Sequence, residues 1–189
     1  MTDRVSEEAT VLVADDERQL ADLYTDFLAG EYDVVTAYGG EEAKALLADP
    51  SFDVDVALLD RRMPDLSGDK VLAAVTDSGR DVRVAMVTAV NPGFDIIDMG
   101  CDEYLVKPVD RAEMLDVVDR LLRLSEYSEK HRALTSKKLK RNVLEVEKNA
   151  AELADSDRFQ RLETEIDALE DELDDISEDL AFEDVQRHI

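Results

Sequence analysis

The feature that most constrains this chain is an alternation, from residue 11 to about 124, of short apolar runs with amphipathic helical patterns. Residues 11–14, 34–37, 56–59, 84–87 and 104–106 are nearly continuous apolar stretches. Runs of that length without polar alternation suit strands covered on both faces, and strands separated by helices form parallel sheets. Between the first two runs, Leu20, Leu23, Tyr24, Phe27 and Leu28 fall on one helical face, and Gly30 can end that helix. Ala43, Leu46 and Leu47 mark a second helix, and Val71, Leu72 and Val75 a third. Met114, Leu115, Val118, Leu121 and Leu122 mark another after the last strand. Only residues 91–100 are left for the helix between the last two strands, and Pro92 and Gly93 occupy its start. That helix is predicted to be short. The fold class is α/β, a doubly wound five-stranded parallel sheet.

After Leu124 no Gly or Pro occurs up to Ile189, and an all-α tail, coiled coil or helical hairpin, is predicted. Phe159, Leu162, Ile166, Leu169, Leu173, Ile176 and Leu180 step by three and four residues, a heptad seam. Upstream, Leu139, Val143, Val146, Ala150 and Leu153 form a similar seam, out of step across residues 155–157. A hairpin or a stutter fits this break; Asp155, Ser156 and Asp157 are good N-caps, which favours a hairpin. Residues 130–148 carry a net charge of +5 and residues 152–184 one of -13. A basic helix can contact phosphates or pair with an acidic helix, and pairing is the preferred reading. The expected organisation is a flexible N-terminus (1–9), an α/β domain (10–124) and a helical output domain (125–189).

The net charge of -25 argues against a bulk nucleic-acid binder. An acidic surface with only 8 Lys against 14 Arg points to a protein adapted to concentrated salt. Molar salt shortens the screening length to about 3 Å, so self-repulsion becomes tolerable. Cys101 is the only cysteine, which excludes an intrachain disulfide and suits a reducing interior. Residues 1–10 lack the apolar core of a signal peptide, and no apolar run approaches the roughly 20 residues that span a bilayer. The expectation is a cytoplasmic protein without membrane insertion, signalled by a separate sensor.

The polar residues of interest fall at C-terminal strand ends, where open α/β sheets bind ligands. Asp15 and Asp16 follow the first strand, Asp60 the third, Thr88 the fourth and Lys107 the fifth. Asp60 precedes Met63-Pro64, Thr88 precedes Ala89, and Lys107 precedes Pro108. These pieces, in order on successive strands, resemble the CheY-like receiver domain of two-component response regulators over about residues 10–124. The resemblance implies that Asp15, Asp16, Asp60 and the backbone carbonyl of Arg62 hold Mg2+. It implies that Asp60 takes a phosphoryl group from a sensor histidine kinase, with Thr88 and Lys107 contacting phosphoryl oxygens. Small Ala89 leaves room beside that group. Tyr104 sits where the family has its aromatic switch, turning inward as Thr88 is drawn to the phosphoryl group. The Lys-Pro bond is cis in the family. The physical need is plain, because three close carboxylates repel unless a hard cation joins them.

The interval from Thr88 to Lys107 is 19 residues, about one helical turn shorter than most receivers, so relatives' dimer geometry is not assumed. Acidic composition, a truncated fourth helix and a helical tail together resemble halophilic archaeal regulators with a HalX output domain, described as transcriptional regulators. His131 and His188 are too isolated to suggest a metal site. The leading reading is a phosphorylated regulator, not a dedicated enzyme, whose receiver frees the tail or joins it as a homodimer to control transcription or a partner protein, with DNA contact left open. A phosphorelay or scaffold protein is the alternative, and a metal-dependent phosphohydrolase a weaker one, since Arg62 stands where a leaving-group acid would sit. Thermal unfolding followed by circular dichroism is expected to show a melting temperature that rises steadily from dilute buffer to molar KCl; a salt-independent value contradicts the halophilic reading.

Overall fold

The computed structural model describes residues 9–186, with side chains to residue 181. The expected flexible N-terminus lies outside the described residues apart from Ala9, which is buried and accepts a hydrogen bond from the Asp33 N–H. His188 also lies outside them.

Five strands alternate with helices: β1 (Thr10–Ala14), α1 (Arg18–Leu28), β2 (Asp33–Ala37), α2 (Gly40–Ala48), β3 (Val56–Leu59), α3 (Gly68–Ser78), β4 (Arg83–Thr88) and β5 (Glu103–Val106). All pairings are parallel, in the order β2-β1-β3-β4-β5. This is a flavodoxin-like sheet, whose order reverses between β1 and β3. Val11, Leu12, Val13, Val56, Leu58, Leu59, Val84 and Met86 are buried, as runs covered on both faces require. The helical faces match the apolar spacing with one exception. On α1, Ala21, Tyr24 and Leu28 are buried while Leu23 is exposed, so the true face is offset by a fraction of a turn. Gly79 caps α3 in the left-handed conformation, at φ 68°, where a side chain would be strained.

Between β4 and β5 the expected short helix is a 3-10 segment, Phe94–Asp98. It is too short to bury a face, and Phe94 and Ile97 are exposed. The helix after β5 is α4 (Arg111–Glu147), continuous for 37 residues. The chain divides into two compact units at Leu122 and Arg123, within α4. In the first unit α4 buries Met114, Val117, Val118, Leu121 and Leu122.

The second unit is a hairpin. Lys148 and Asn149 end α4; α5 (Ala150–Ala154) and α6 (Asp157–Gln186) follow. Asn149 and Glu152 form a capping box on α5, and the Ser156 hydroxyl accepts from the Phe159 N–H at 3.3 Å to cap α6. The α6 seam is as expected: Ile166 and Leu173 are buried, with Leu162 and Leu169 packed beside them. The upstream seam is not. Leu139, Val143 and Val146 are exposed, and α4 instead meets α6 through Leu134 and Tyr127. Ion pairs explain the choice of face. Lys130 pairs with Glu172, Lys137 with Glu165, Lys138 with Glu170 and Arg141 with Glu163. The acidic α6 selects the basic face of α4, and the more apolar stripe turns away. Among the described residues no helix is long and apolar enough to cross a membrane.

Ile166→Ala is expected to destabilise the helical unit by about 2–5 kcal/mol, against about 0.5 kcal/mol or less for exposed Glu178→Ala, in denaturant titrations followed by circular dichroism.

Candidate functional site

Backbone hydrogen bonds place the candidate residues at the carboxyl edge of the sheet. The Asp15 N–H donates to the Ala37 carbonyl at 3.1 Å, extending β1 along β2. The Asp60 N–H donates to the Ala14 carbonyl at 2.8 Å, which sets Asp60 beside the end of β1. The Lys107 N–H donates to the Thr88 carbonyl at 2.9 Å and continues β5 along β4. Gly68 must pass close behind the nucleophile candidate, because a Cβ there would lie 2.4 Å from the Asp60 carbonyl oxygen.

Side chains then converge. The Lys107 ammonium donates to Asp15 Oδ2 at 2.6 Å and lies 3.2 Å from Asp60 Oδ1. The second Asp15 oxygen accepts from the Glu17 N–H at 2.9 Å, and the second Asp60 oxygen accepts from the Arg62 N–H at 2.9 Å. Asp15 and Asp60 are buried and Asp16 is exposed, and the three offer one carboxylate oxygen each within 4.8 Å of one another. Opposite oxygens around a magnesium ion lie about 4 Å apart, so this all-oxygen set needs little adjustment to hold a hard divalent cation.

The charges are unevenly balanced. Burial pushes the Asp15 carboxyl above its ordinary value, against the pull of Lys107. Burial works to lower Lys107, yet Asp15 and Asp60 outweigh it and hold the ammonium above the usual lysine range. One fixed cation faces three acids, leaving a negative site that a second cation would neutralise.

Thr88 is buried at the end of β4, its Oγ1 accepting from the Val90 N–H at 3.4 Å. The half-buried Tyr104 donates its hydroxyl hydrogen to the Val90 carbonyl at 3.0 Å, so both residues bind the same short segment. The Arg62 side chain is exposed, and Pro108 follows a cis peptide bond. A shallow pocket lined by Asp16, Arg61, Arg62, Met63, Pro64 and Val90 opens beside the carboxylates.

Sequence reasoning missed Arg61. Its Nε donates to Asp69 Oδ1 at 3.2 Å, and its terminal nitrogen pairs with Asp95 in the 3-10 segment. These contacts raise its pKa further, with Asp95 the largest cause. Asp95 stands 34 positions away, so spacing carried no signal.

The chain is similar to known proteins along most of its length. The response regulator receiver domain family matches residues 11–119 and the HalX domain residues 123–189. A Haloferax volcanii protein bearing the name "Putative transcriptional regulator" is 53% identical over 116 residues, 61% of this chain and 19% of that protein. The transcriptional regulatory protein CpxR of Escherichia coli K12 is 34% identical over 123 residues, 63% of this chain and 51% of CpxR. The match thus spans about half or less of these relatives' length. A CheY-like receiver from Methanospirillum hungatei superposes with a TM-score of 0.58 at 24% identity, covering 62% of this chain and 96% of that one. CheY from Borrelia burgdorferi, solved with CheX, BeF3 and Mg2+, gives 0.54 at 28% identity, covering 58% and 86%.

Addition of Mg2+ at about ten times its Kd is expected to stabilise the fold by about 1.4 kcal/mol, read as a rise in melting temperature. Asp15→Asn should melt higher than the metal-free parent, because a costly buried charge is gone, and should lose the Mg2+ increment; a retained increment would remove Asp15 from the metal set.

Proposed function

Because the chain belongs to the response regulator receiver family, we propose that it is a phosphorylation-gated regulator in which Asp60 accepts a phosphoryl group from a sensor histidine kinase. The observation that carries this reading is the Asp60 carboxylate, held between the Lys107 ammonium and the Arg62 N–H beside Asp15 and Asp16. An Asp60 oxygen attacks phosphorus as the bond from phosphorus to the histidine nitrogen breaks, and the imidazole leaves. Asp15, Asp16, Asp60 and the Arg62 carbonyl would hold Mg2+, which supplies neutralisation of the phosphoryl oxygens. Lys107 is oriented by its contact with Asp15 and can shift to a phosphoryl oxygen without leaving the site. Thr88 can donate its hydroxyl to another.

Switching follows from the shared segment. The Thr88 hydroxyl accepts from Val90, and Tyr104 is tethered to the Val90 carbonyl. Drawing Thr88 toward a phosphoryl group moves that segment and releases the ring, a two-state element biased by phosphorylation. The similarity to transcriptional regulators supports control of transcription as the output. The basic residues of α4 argue for a different use of the helical unit. Four of them are paired with α6 acids, which favours protein assembly over direct phosphate contact. A scaffold or relay role therefore stands as the second reading. A phosphohydrolase reading lacks its acid, since Arg62 occupies that place with its side chain in solvent.

Incubation with Mg2+ and acetyl phosphate, followed by intact mass, should show one added phosphoryl group on the parent and none on Asp60→Asn. Lys107→Ala should slow phosphorylation by about a hundredfold or more. An Asp60→Asn protein that is still modified sinks the assignment.

A further inference from the structure

The ion pair of Arg61 with Asp95 has no part in the proposed phosphoryl transfer, yet it stands directly beside it. Arg61 follows Asp60 in the chain, and its side chain is only 18% exposed. Asp69, in the first turn of α3, accepts from Arg61 Nε on both carboxylate oxygens, at 3.2 and 3.3 Å. That contact fixes the guanidinium and leaves a terminal nitrogen for Asp95, whose carboxyl the Arg61 charge holds below its ordinary value. A planar guanidinium can serve two acids at once from separate nitrogens, which the point charge of a lysine does not match.

The segment that the pair holds has little else to hold it. From residue 91 to residue 98 every residue is exposed except half-buried Ile96. The backbone bonds there are local, from the Ile96 N–H to the Gly93 carbonyl and from the Met99 N–H to the Ile96 carbonyl, both at 3.3 Å. Among the described residues, the contact of Asp95 with Arg61 is the one side-chain hydrogen bond or ion pair that ties residues 91–98 to the rest of the unit. Just before them stands Val90, whose N–H meets the Thr88 hydroxyl and whose carbonyl accepts from Tyr104. Four residues separate Val90 from Asp95, and Pro92 stiffens them. Movement of Thr88 toward a phosphoryl group on Asp60 therefore pulls against the pair.

We propose that Arg61 is a positioning residue that acts through Asp95: it pins the 3-10 segment in the arrangement of the unphosphorylated chain and so opposes movement of the backbone from Thr88 to Val90. The inference rests on the reading of Asp60 as phosphoacceptor. A contact made in only one of two states weakens the binding of any ligand that prefers the other. A partly exposed pair of this kind shifts such an equilibrium by about threefold, which biases the two states without locking either.

Beryllofluoride, which with Mg2+ stands in for a phosphoryl group on a carboxylate, reads the switched state in the full-length chain. Molar KCl screens through-space charge effects within about 3 Å. Under that condition Arg61→Gln and Asp95→Asn are each expected to lower the beryllofluoride dissociation constant about threefold, and the double variant no further, with the circular dichroism spectrum unchanged. Without ligand, amide exchange at residues 94–99 should run about threefold faster in each variant than in the parent, while exchange in β1 and β3 stays the same. Loss of the guanidinium charge alone would move Arg61→Gln the other way, toward weaker anion binding. That result, single variants whose effects add, or unchanged exchange at residues 94–99 each overturns the proposal. A parent that takes no beryllofluoride overturns the phosphoacceptor reading and the opposed movement with it, and the exchange rates then still show whether the pair pins the segment.

Discussion

The contact of the Lys107 ammonium with Asp15 and Asp60 is the interaction around which the receiver unit is organised. A buried carboxylate is costly, and two side by side cost more, so neither would be tolerated without a cation at hydrogen-bond distance. The lysine comes from β5, two strands removed from β3 and three from β1 in the sheet order. Its reach across the carboxyl edge links the outermost strand to the centre. The same contact leaves the site short of positive charge, a deficit that the proposed divalent ion would offset. Stability and chemistry draw on one arrangement.

A second chain of contacts runs outward from the same edge. Arg61 follows Asp60 directly and joins Asp69 and Asp95. Tyr104 in turn meets the segment after Thr88. The shortened 3-10 segment, which buries no face of its own, is held through Asp95. A segment with so little apolar anchorage rearranges at low cost, as the proposed switch would require.

The helical unit obeys a different balance. Its α4 helix offers two faces, one apolar and one basic, and α6 offers a seam of Leu and Ile flanked by acids. Packing on the basic face satisfies four ion pairs and still buries Leu134 against Ile166 and Leu173. Partly exposed pairs are individually weak, but unlike charges along two whole helices set the facing direction, as charges do in coiled coils. The apolar stripe is then left exposed.

Strand positions, the parallel architecture and the truncated segment between β4 and β5 were legible in the sequence, because apolar run length and periodicity report burial locally. The candidate acids, Thr88 and Lys107 were legible for the same reason, each closing an apolar strand. Leu23, Leu139, Val143 and Val146 were misread because periodicity identifies an apolar face without saying whether anything packs on it. The end of α4 was misplaced because the capping box at Asn149 lies inside a pattern that also suits a continuing helix. Arg61 was invisible, since Asp95 is brought to it only by the folding of the 3-10 segment toward the end of β3. What the sequence determined by itself was which residues want to be buried and where chemistry can sit on a sheet. Only tertiary structure decided which cation meets which acid and which helix face is left open, because these are choices between contacts distant along the chain.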